Sequence, residues 1–120
     1  MRKRDFKGKV VKKRALKAAT ICRCYDDLQL AALDAFEAYD DIIEIQMNIG
    51  LDDAELKLYM TDFLCKRTNG DYLVRECAFR KVLLRPQTVK LLDGSRNYWQ
   101  RRGVRDWGIV VEVVIHGDEE

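Results

Sequence analysis

Apolar residues recur at helical spacing in the first third of the chain. Between residues 26 and 39, the positions that share one helical face are Leu28, Ala32, Ala35 and Tyr39, with Phe36 beside them. Asp26 and Asp27 stand just before this pattern, and an acidic side chain there can accept hydrogen bonds from the first helical N–H groups. The pattern therefore predicts a helix from the Asp26-Asp27 pair to about Tyr39.

A second helix is predicted near the end of the chain, over residues 87–102. Pro86 suits the first turn of a helix, and Gly103 suits the residue that follows the last turn. The expected inward positions are Leu91 or Leu92, Ser95, and Tyr98 or Trp99.

Four further segments have the pattern of β-strands. In residues 42–51, polar residues alternate with Ile43, Ile45, Met47 and Ile49, which predicts a half-buried strand. Residues 56–66 and 71–79 flank Asn69-Gly70, and an Asn-Gly pair between two such runs predicts a hairpin. Residues 107–115 are rich in β-branched types and are predicted to form a central or near-central strand. The order predicts an α/β fold with a small mixed sheet flanked by helices.

Asp62 and Glu76 lie in the two arms of the predicted hairpin, and the register decides whether their side chains meet. A two-residue turn pairs residue 68 with 71, sets Asp62 across from Cys77 and turns Glu76 to the other face. A three-residue loop pairs residue 67 with 71 and sets Asp62 directly opposite Glu76. The second register gives two carboxylates suited to a hard cation such as Mg²⁺. Both registers remain open from the sequence.

Composition narrows the class of protein. Hydrophobic residues make up 48% of the 120-residue chain, enough for one core. The chain has no apolar run near the roughly 18 residues of a membrane span. Without a visible export signal, the four cysteines are expected to be reduced thiols in a cytoplasmic protein. Zinc binding is not favoured, because Cys22 and Cys24 lack a matching second pair and His116 is the sole histidine.

Charge is distributed in blocks. Residues 1–18 carry nine Lys or Arg and one acid, residues 26–55 carry ten acids and no base, and residues 80–105 carry eight bases and one acid. Basic blocks nearly free of acids are typical of proteins that bind nucleic acid. We therefore divide the chain into a basic N-terminal segment, one α/β domain and an acidic tail: residues 1–18, 19–116 and 117–120.

The order of elements, with one acid in the second predicted strand and another in the third, resembles the core of the PD-(D/E)xK nucleases. More closely, short motifs within residues 25–113 resemble the N-terminal catalytic domain of the TnsA family, the endonucleases that cut transposon ends. The motifs are Tyr25-Asp26-Asp27-Leu28-Gln29, Asp41-Ile42-Ile43-Glu44, Thr61-Asp62-Phe63-Leu64 and Val74-Arg75-Glu76-Cys77.

The resemblance implies a restriction-endonuclease-like core and metal-dependent DNA cleavage with Mg²⁺ or Mn²⁺. Asp62, Glu76 and the backbone carbonyl of Cys77 would hold the metal ion, which activates water and neutralises phosphate charge. The family pattern expects a Glu at position 29 and a Lys at position 78, where this chain has Gln29 and Ala78. It also expects a Pro at position 61, where the residue is Thr.

Other residues of this chain could take the roles of the glutamate and the lysine that the family pattern expects at positions 29 and 78. Gln29 could coordinate the metal through its uncharged amide oxygen. Lys81 or Lys66 could replace the missing lysine. Arg80 shares a strand face with Glu76 if that strand continues, but an arginine stays protonated and is a poor general base.

The basic blocks indicate which residues would contact the phosphates of double-stranded DNA. They are Lys12, Lys13, Arg14, Arg80, Lys81, Arg85, Lys90, Arg101 and Arg102. A transposase-like protein of a mobile element or phage is a further expected partner. A homodimer is one option, because a cut in both strands needs two active sites.

Three functions are therefore open from the sequence. The first is a metal-dependent DNA endonuclease. The second is a nuclease fold without catalysis that acts as a DNA-binding or protein-interaction module. The third is an adaptor or inhibitor whose acidic residues 26–55 imitate nucleic acid.

Overall fold

The computed structural model describes residues 10–56 and 59–113. Its helices and strands are β1 (Val11–Lys13), β2 (Cys22–Cys24), α1 (Asp27–Ala38), β3 (Ile42–Gly50), β4 (Met60–Arg67), β5 (Tyr72–Cys77), α2 (Pro86–Arg101) and β6 (Asp106–Val110), with a 3₁₀ turn at Arg80–Val82. The predicted order of helix, three strands, helix and strand is confirmed. The β1–β2 pair was not predicted. His116, the predicted tail and the first nine residues lie outside the described residues.

The sheet contains β3, β4, β5 and β6 in that spatial order. β3, β4 and β5 are antiparallel neighbours, whereas β6 runs parallel to β5 after the crossover through α2. The predicted central position of the last strand is wrong, because β6 lies at the edge of this sheet. A run of β-branched residues is typical of a strand that is covered on both faces, which is why a central position was predicted. In the structure, however, Ile109 of β6 is 41% exposed.

The hairpin between β4 and β5 has the three-residue register. Lys66 lies opposite Tyr72, and the N–H of Arg67 donates to the carbonyl of Asp71 at 2.7 Å. Gly70 adopts a φ of +93°, whereas Asn69 does not have a positive φ. A two-residue type I′ turn needs positive φ at both positions, so the longer loop forms instead. This register aligns Asp62 with Glu76 across the two strands.

Two apolar cores lie on opposite faces of the sheet. α1 packs with alternate residues of β4 and β5, including Phe63 and Leu73, and α2 packs with Val74 and Leu64 on the other face. All the predicted inward residues of α2 are buried: Leu91, Leu92, Ser95, Tyr98 and Trp99.

The predicted inward face of α1 needs a correction. Leu28 and Ala32 are buried as expected, but Ala35 and Tyr39 are exposed. Gln29 and Leu33 are buried. The buried stripe is rotated by one position, because the leucine and the glutamine fill the space above the sheet.

The alternation predicted for β3 also breaks at its start. A bulge between Ile42 and Glu44 adds one residue to β3 relative to β4. Ile42 is therefore buried and Ile43 is 43% exposed, the reverse of the prediction. Within the described ranges, neither helix has the length and apolar character needed to cross a membrane.

Candidate functional site: a buried carboxylate pair

The alternation of side chains along β4 changes at Thr61, beyond the last pair of its ladder with β5, Phe63 with Arg75. Phe63 faces α1 as expected, but the hydroxyl of Thr61, two residues earlier, accepts a hydrogen bond from Trp99 of α2 at 2.9 Å. Asn48, opposite Asp62 on β3, has a φ of +55°. A left-handed residue rotates the strand locally, and here the side chains of Asn48 and Asp62 both reach Gln29 on α1.

The carboxylate of Asp62 is bound on both oxygens. Oδ1 accepts from the amide nitrogen of Gln29 at 3.0 Å, and Oδ2 accepts from the backbone N–H of Cys77 at 2.7 Å. The side chain is only 1% exposed. Asp62 therefore joins β4 to both α1 and β5 in the interior of the protein.

Glu76 is bound in the same way but toward the opposite layer. Oε1 accepts from the backbone N–H of Asp62 at 2.9 Å, and Oε2 accepts from the hydroxyl of Ser95 on α2 at 2.5 Å. The Ser95 oxygen in turn accepts from the indole N–H of Trp107 at 3.1 Å. Glu76 is fully buried. We refer to Asp62 and Glu76 as the carboxylate pair.

The orientation of the Gln29 amide is fixed by its other partners. Its oxygen accepts from the backbone N–H of Tyr25 at 2.9 Å, and its nitrogen also donates to the side-chain oxygen of Asn48 at 2.7 Å. The Asn48 nitrogen is engaged with the carbonyl of Arg23. If the Gln29 amide were flipped, its oxygen would face the side-chain oxygens of both Asn48 and Asp62, which cannot donate to it. Gln29 therefore presents its N–H group to Asp62.

Tyr59 adds a third ionisable group to this interior. The pKa of Tyr59 is raised well above its ordinary value. Burial is the largest cause, followed by the negative charges of Glu76 and Asp62 and by hydrogen bonding to Glu76. The phenol therefore stays neutral next to the carboxylate pair.

These residues do not fit a Mg²⁺ ion as they are arranged. Magnesium needs carboxylate and water oxygens in octahedral geometry, but each oxygen of the carboxylate pair already accepts from a protein donor. Gln29 presents its nitrogen. Residues 10–56 and 59–113 contain no group of three or more His, Cys, Asp or Glu that could hold a metal. Metal binding by Asp62, Glu76 and Cys77 stays a prediction, and this geometry favours a structural role.

The candidates for the missing lysine lie elsewhere. Ala78 is buried, and its N–H donates to the carbonyl of Val110. Lys81 is exposed in the 3₁₀ turn, and Lys66 pairs with Glu44 at 3.8 Å near the other end of β4. The expectation that Arg80 shares a strand face with Glu76 is wrong. β5 ends at Cys77, and Arg80 instead donates through its backbone and its side chain to Glu112.

Some of the residues predicted to bind DNA already pair with an acid or stack on an aromatic ring of the protein, and others do not. Lys13 pairs with Asp34 and Arg101 pairs with Asp53. The guanidinium of Arg102 stacks 3.5 Å from the centroid of the Tyr98 ring. Lys12 and Arg14 are exposed at and just after β1.

The remaining predicted cations lie along the chain between the end of β5 and the first turns of α2. We call Arg80, Lys81, Arg85 and Lys90 the basic corner. Lys81, Arg85 and Lys90 are exposed, and within the part of the chain that the structure describes no acid pairs with them. Residues 80–92 contain no acid at all.

Sequence reasoning missed the roles of Asn48, Ser95 and Tyr59 around the carboxylate pair. An asparagine inside a strand is disfavoured, and that was the one available signal for an irregular backbone at this point. A scan against protein-family models and a search of the curated proteins found no match for this chain.

Replacing Gln29 with Glu tests the amide donor. Gln29→Glu should lower the free energy of unfolding at neutral pH by about 3 kcal/mol, because a buried acceptor would replace a donor beside Asp62. Urea unfolding measures the change. Gln46→Glu on the exposed side of β3 is the matched control and should change stability by less than about 0.5 kcal/mol. Equal effects of the two variants would contradict the assigned amide orientation.

Tyr59 should make stability depend on alkaline pH. Its folded pKa is raised, so its contribution to stability is complete below pH 10.0, the ordinary tyrosine value, and is lost as the pH rises above it. Tyr59→Phe should flatten this decline in the free energy of unfolding. Tyr72→Phe, at a side chain 39% exposed, should leave the slope unchanged. Parallel curves for wild type and Tyr59→Phe would show that Tyr59 titrates normally.

Proposed function

We propose that this protein is a double-stranded DNA-binding module built on a restriction-endonuclease-like core in which the catalytic carboxylates serve a structural purpose. The strand order β3-β4-β5-β6, the parallel final strand and one helix on each face support such a core. The proposal combines this fold with the geometry of the carboxylate pair and the charge of the basic corner.

One observation carries the non-catalytic part of the proposal. Asp62 and Glu76 are 1% and 0% exposed, and each of their oxygens accepts from a protein donor. A phosphodiester would have to reach these buried groups, and a metal would have to share each oxygen with a protein donor. Burial, with a hydrogen bond to every carboxylate oxygen, is a feature of a structural polar network.

The DNA-binding part of the proposal rests on cations that are not paired with an acid and can therefore contact phosphates. A cation already paired with a carboxylate gains little from a phosphate, whereas Lys81, Arg85 and Lys90 have no acid partner within the described residues. The first turn of α2 adds the partial positive charge of a helix N-terminus, and it contains no acid that would neutralise this charge. Together they form a surface that attracts a polyanion.

A metal-dependent endonuclease is the second candidate, and the hairpin register favours it. The three-residue loop brings Asp62 and Glu76 to neighbouring positions on β4 and β5, next to the ladder pair of Phe63 with Arg75, as metal binding by both acids would require. In that case the Gln29 and Ser95 contacts would have to open when metal and DNA bind.

Metal-dependent nicking separates the two candidates. In Mg²⁺ or Mn²⁺ at millimolar concentration, plasmid nicking by the wild type should equal the background of Asp62→Asn and Glu76→Gln. Circular dichroism should establish that each variant is folded. Wild-type nicking that requires metal and disappears in both folded variants would overturn the structural role and establish the endonuclease.

Binding to duplex DNA should depend on the basic corner and on salt. Changing Lys81, Arg85 and Lys90 together to Gln should reduce the slope of log affinity against log salt by about 2 to 3, since each lost phosphate contact removes about 0.9. The matched control changes Lys13, Lys66 and Arg101, which pair with acids, to Gln. Fluorescence anisotropy of labelled duplex DNA over a series of salt concentrations measures the affinity of both triple variants. Equal losses would mean that net charge alone drives binding.

A further inference from the structure

Leu84 is an exposed apolar side chain at the centre of the basic corner. It lies between the 3₁₀ turn and α2, and 91% of its surface is exposed. Its neighbours Val82 and Leu83 are half-buried. The segment therefore packs two of its three apolar residues against the protein and holds the third in solvent.

The backbone on both sides of Leu84 is held by hydrogen bonds. The N–H of Leu83 donates to Arg80 at 3.2 Å, and the N–H of Arg85 donates to Val82 at 3.1 Å. Pro86 then fixes its own backbone and begins α2, and the N–H of Val89 donates to the carbonyl of Arg85. These bonds fix the backbone on either side of Leu84, so ordering it on a partner costs little entropy.

Cations flank this leucine along the chain. Lys81 lies in the 3₁₀ turn, three residues before Leu84, and both side chains are exposed. Arg85 follows directly, and Lys90 lies one turn into α2. An apolar tip with positive charge on each side matches a groove that has phosphates along both edges and stacked bases at its floor.

We propose that Leu84 inserts between base pairs from the minor groove of duplex DNA, while Lys81, Arg85 and Lys90 hold the phosphates on either side. This inference rests on the proposed DNA-binding function and adds a mode of binding to it. Apolar side chains that enter the minor groove unstack one base step and bend the duplex. Pyrimidine–purine steps such as TA unstack most easily, so duplexes that contain them should bind best.

The test uses the full chain and duplexes with 2-aminopurine next to a central TA step. Wild-type protein should increase the fluorescence of the base and shorten the end-to-end distance measured by energy transfer. Leu84→Ala should lose most of both signals and bind about five- to tenfold more weakly, the effect expected for one partly buried leucine. Leu84→Met should restore them, whereas Leu84→Gln should not.

Val113→Ala is the matched control, because Val113 is 85% exposed after β6, outside the basic corner and the basic N-terminal segment. It should leave both signals unchanged. If Leu84→Ala binds and bends DNA like the wild type, the insertion is wrong and DNA binding stands. If the wild type does not bind duplex at low salt, the proposed function itself fails. Loss of binding to phosphatidylserine vesicles in Leu84→Ala, with DNA binding unchanged, would overturn the proposal in favour of a membrane contact.

Discussion

Two buried carboxylates replace the backbone ladder at the point where β4 and β5 separate. The regular pairs run from Lys66 with Tyr72 to Phe63 with Arg75, and beyond them the N–H groups of Asp62 and Cys77 donate to side-chain oxygens. Burying a carboxylate is costly unless it accepts several hydrogen bonds, and bonds to a charged acceptor are the stronger kind. The carboxylate pair meets that condition with donors from the two strands and from both helices.

The residue at position 29 decides what this interior can do. A glutamate there would place a third carboxylate beside Asp62, and the group would need a cation to be stable. Gln29 instead donates an N–H, so its neighbour is satisfied without a metal. Under the proposed structural role, the alanine at position 78 is consistent with this change, because a lysine that stabilises developing charge would then have no purpose there. The two departures from the nuclease pattern therefore have one physical explanation.

The sequence predicted the order of the main elements, both helices and the inward face of α2, because each depends on local periodicity. It left two hairpin registers open, since Asn69-Gly70 is compatible with both, and only the backbone angle at Asn69 separates them. The rotated face of α1, the bulge at Ile43 and the edge position of β6 depend on packing between distant segments. Likewise, acids opposed across the hairpin belonged to one of the two predicted registers, but two of their four donors, Gln29 and Ser95, come from helices far away in sequence.

α2 connects the carboxylate pair to the proposed DNA-binding surface. The bond from Ser95 to Glu76 lies on the face of α2 that also buries Leu91, whereas Lys90 faces solvent. The same helix begins at Pro86, directly after the turn that holds Leu84 outward. A buried carboxylate that holds α2 can therefore contribute to the proposed binding without touching a metal or a nucleotide. On this argument, Glu76 has a purpose in the protein whether or not it cuts DNA.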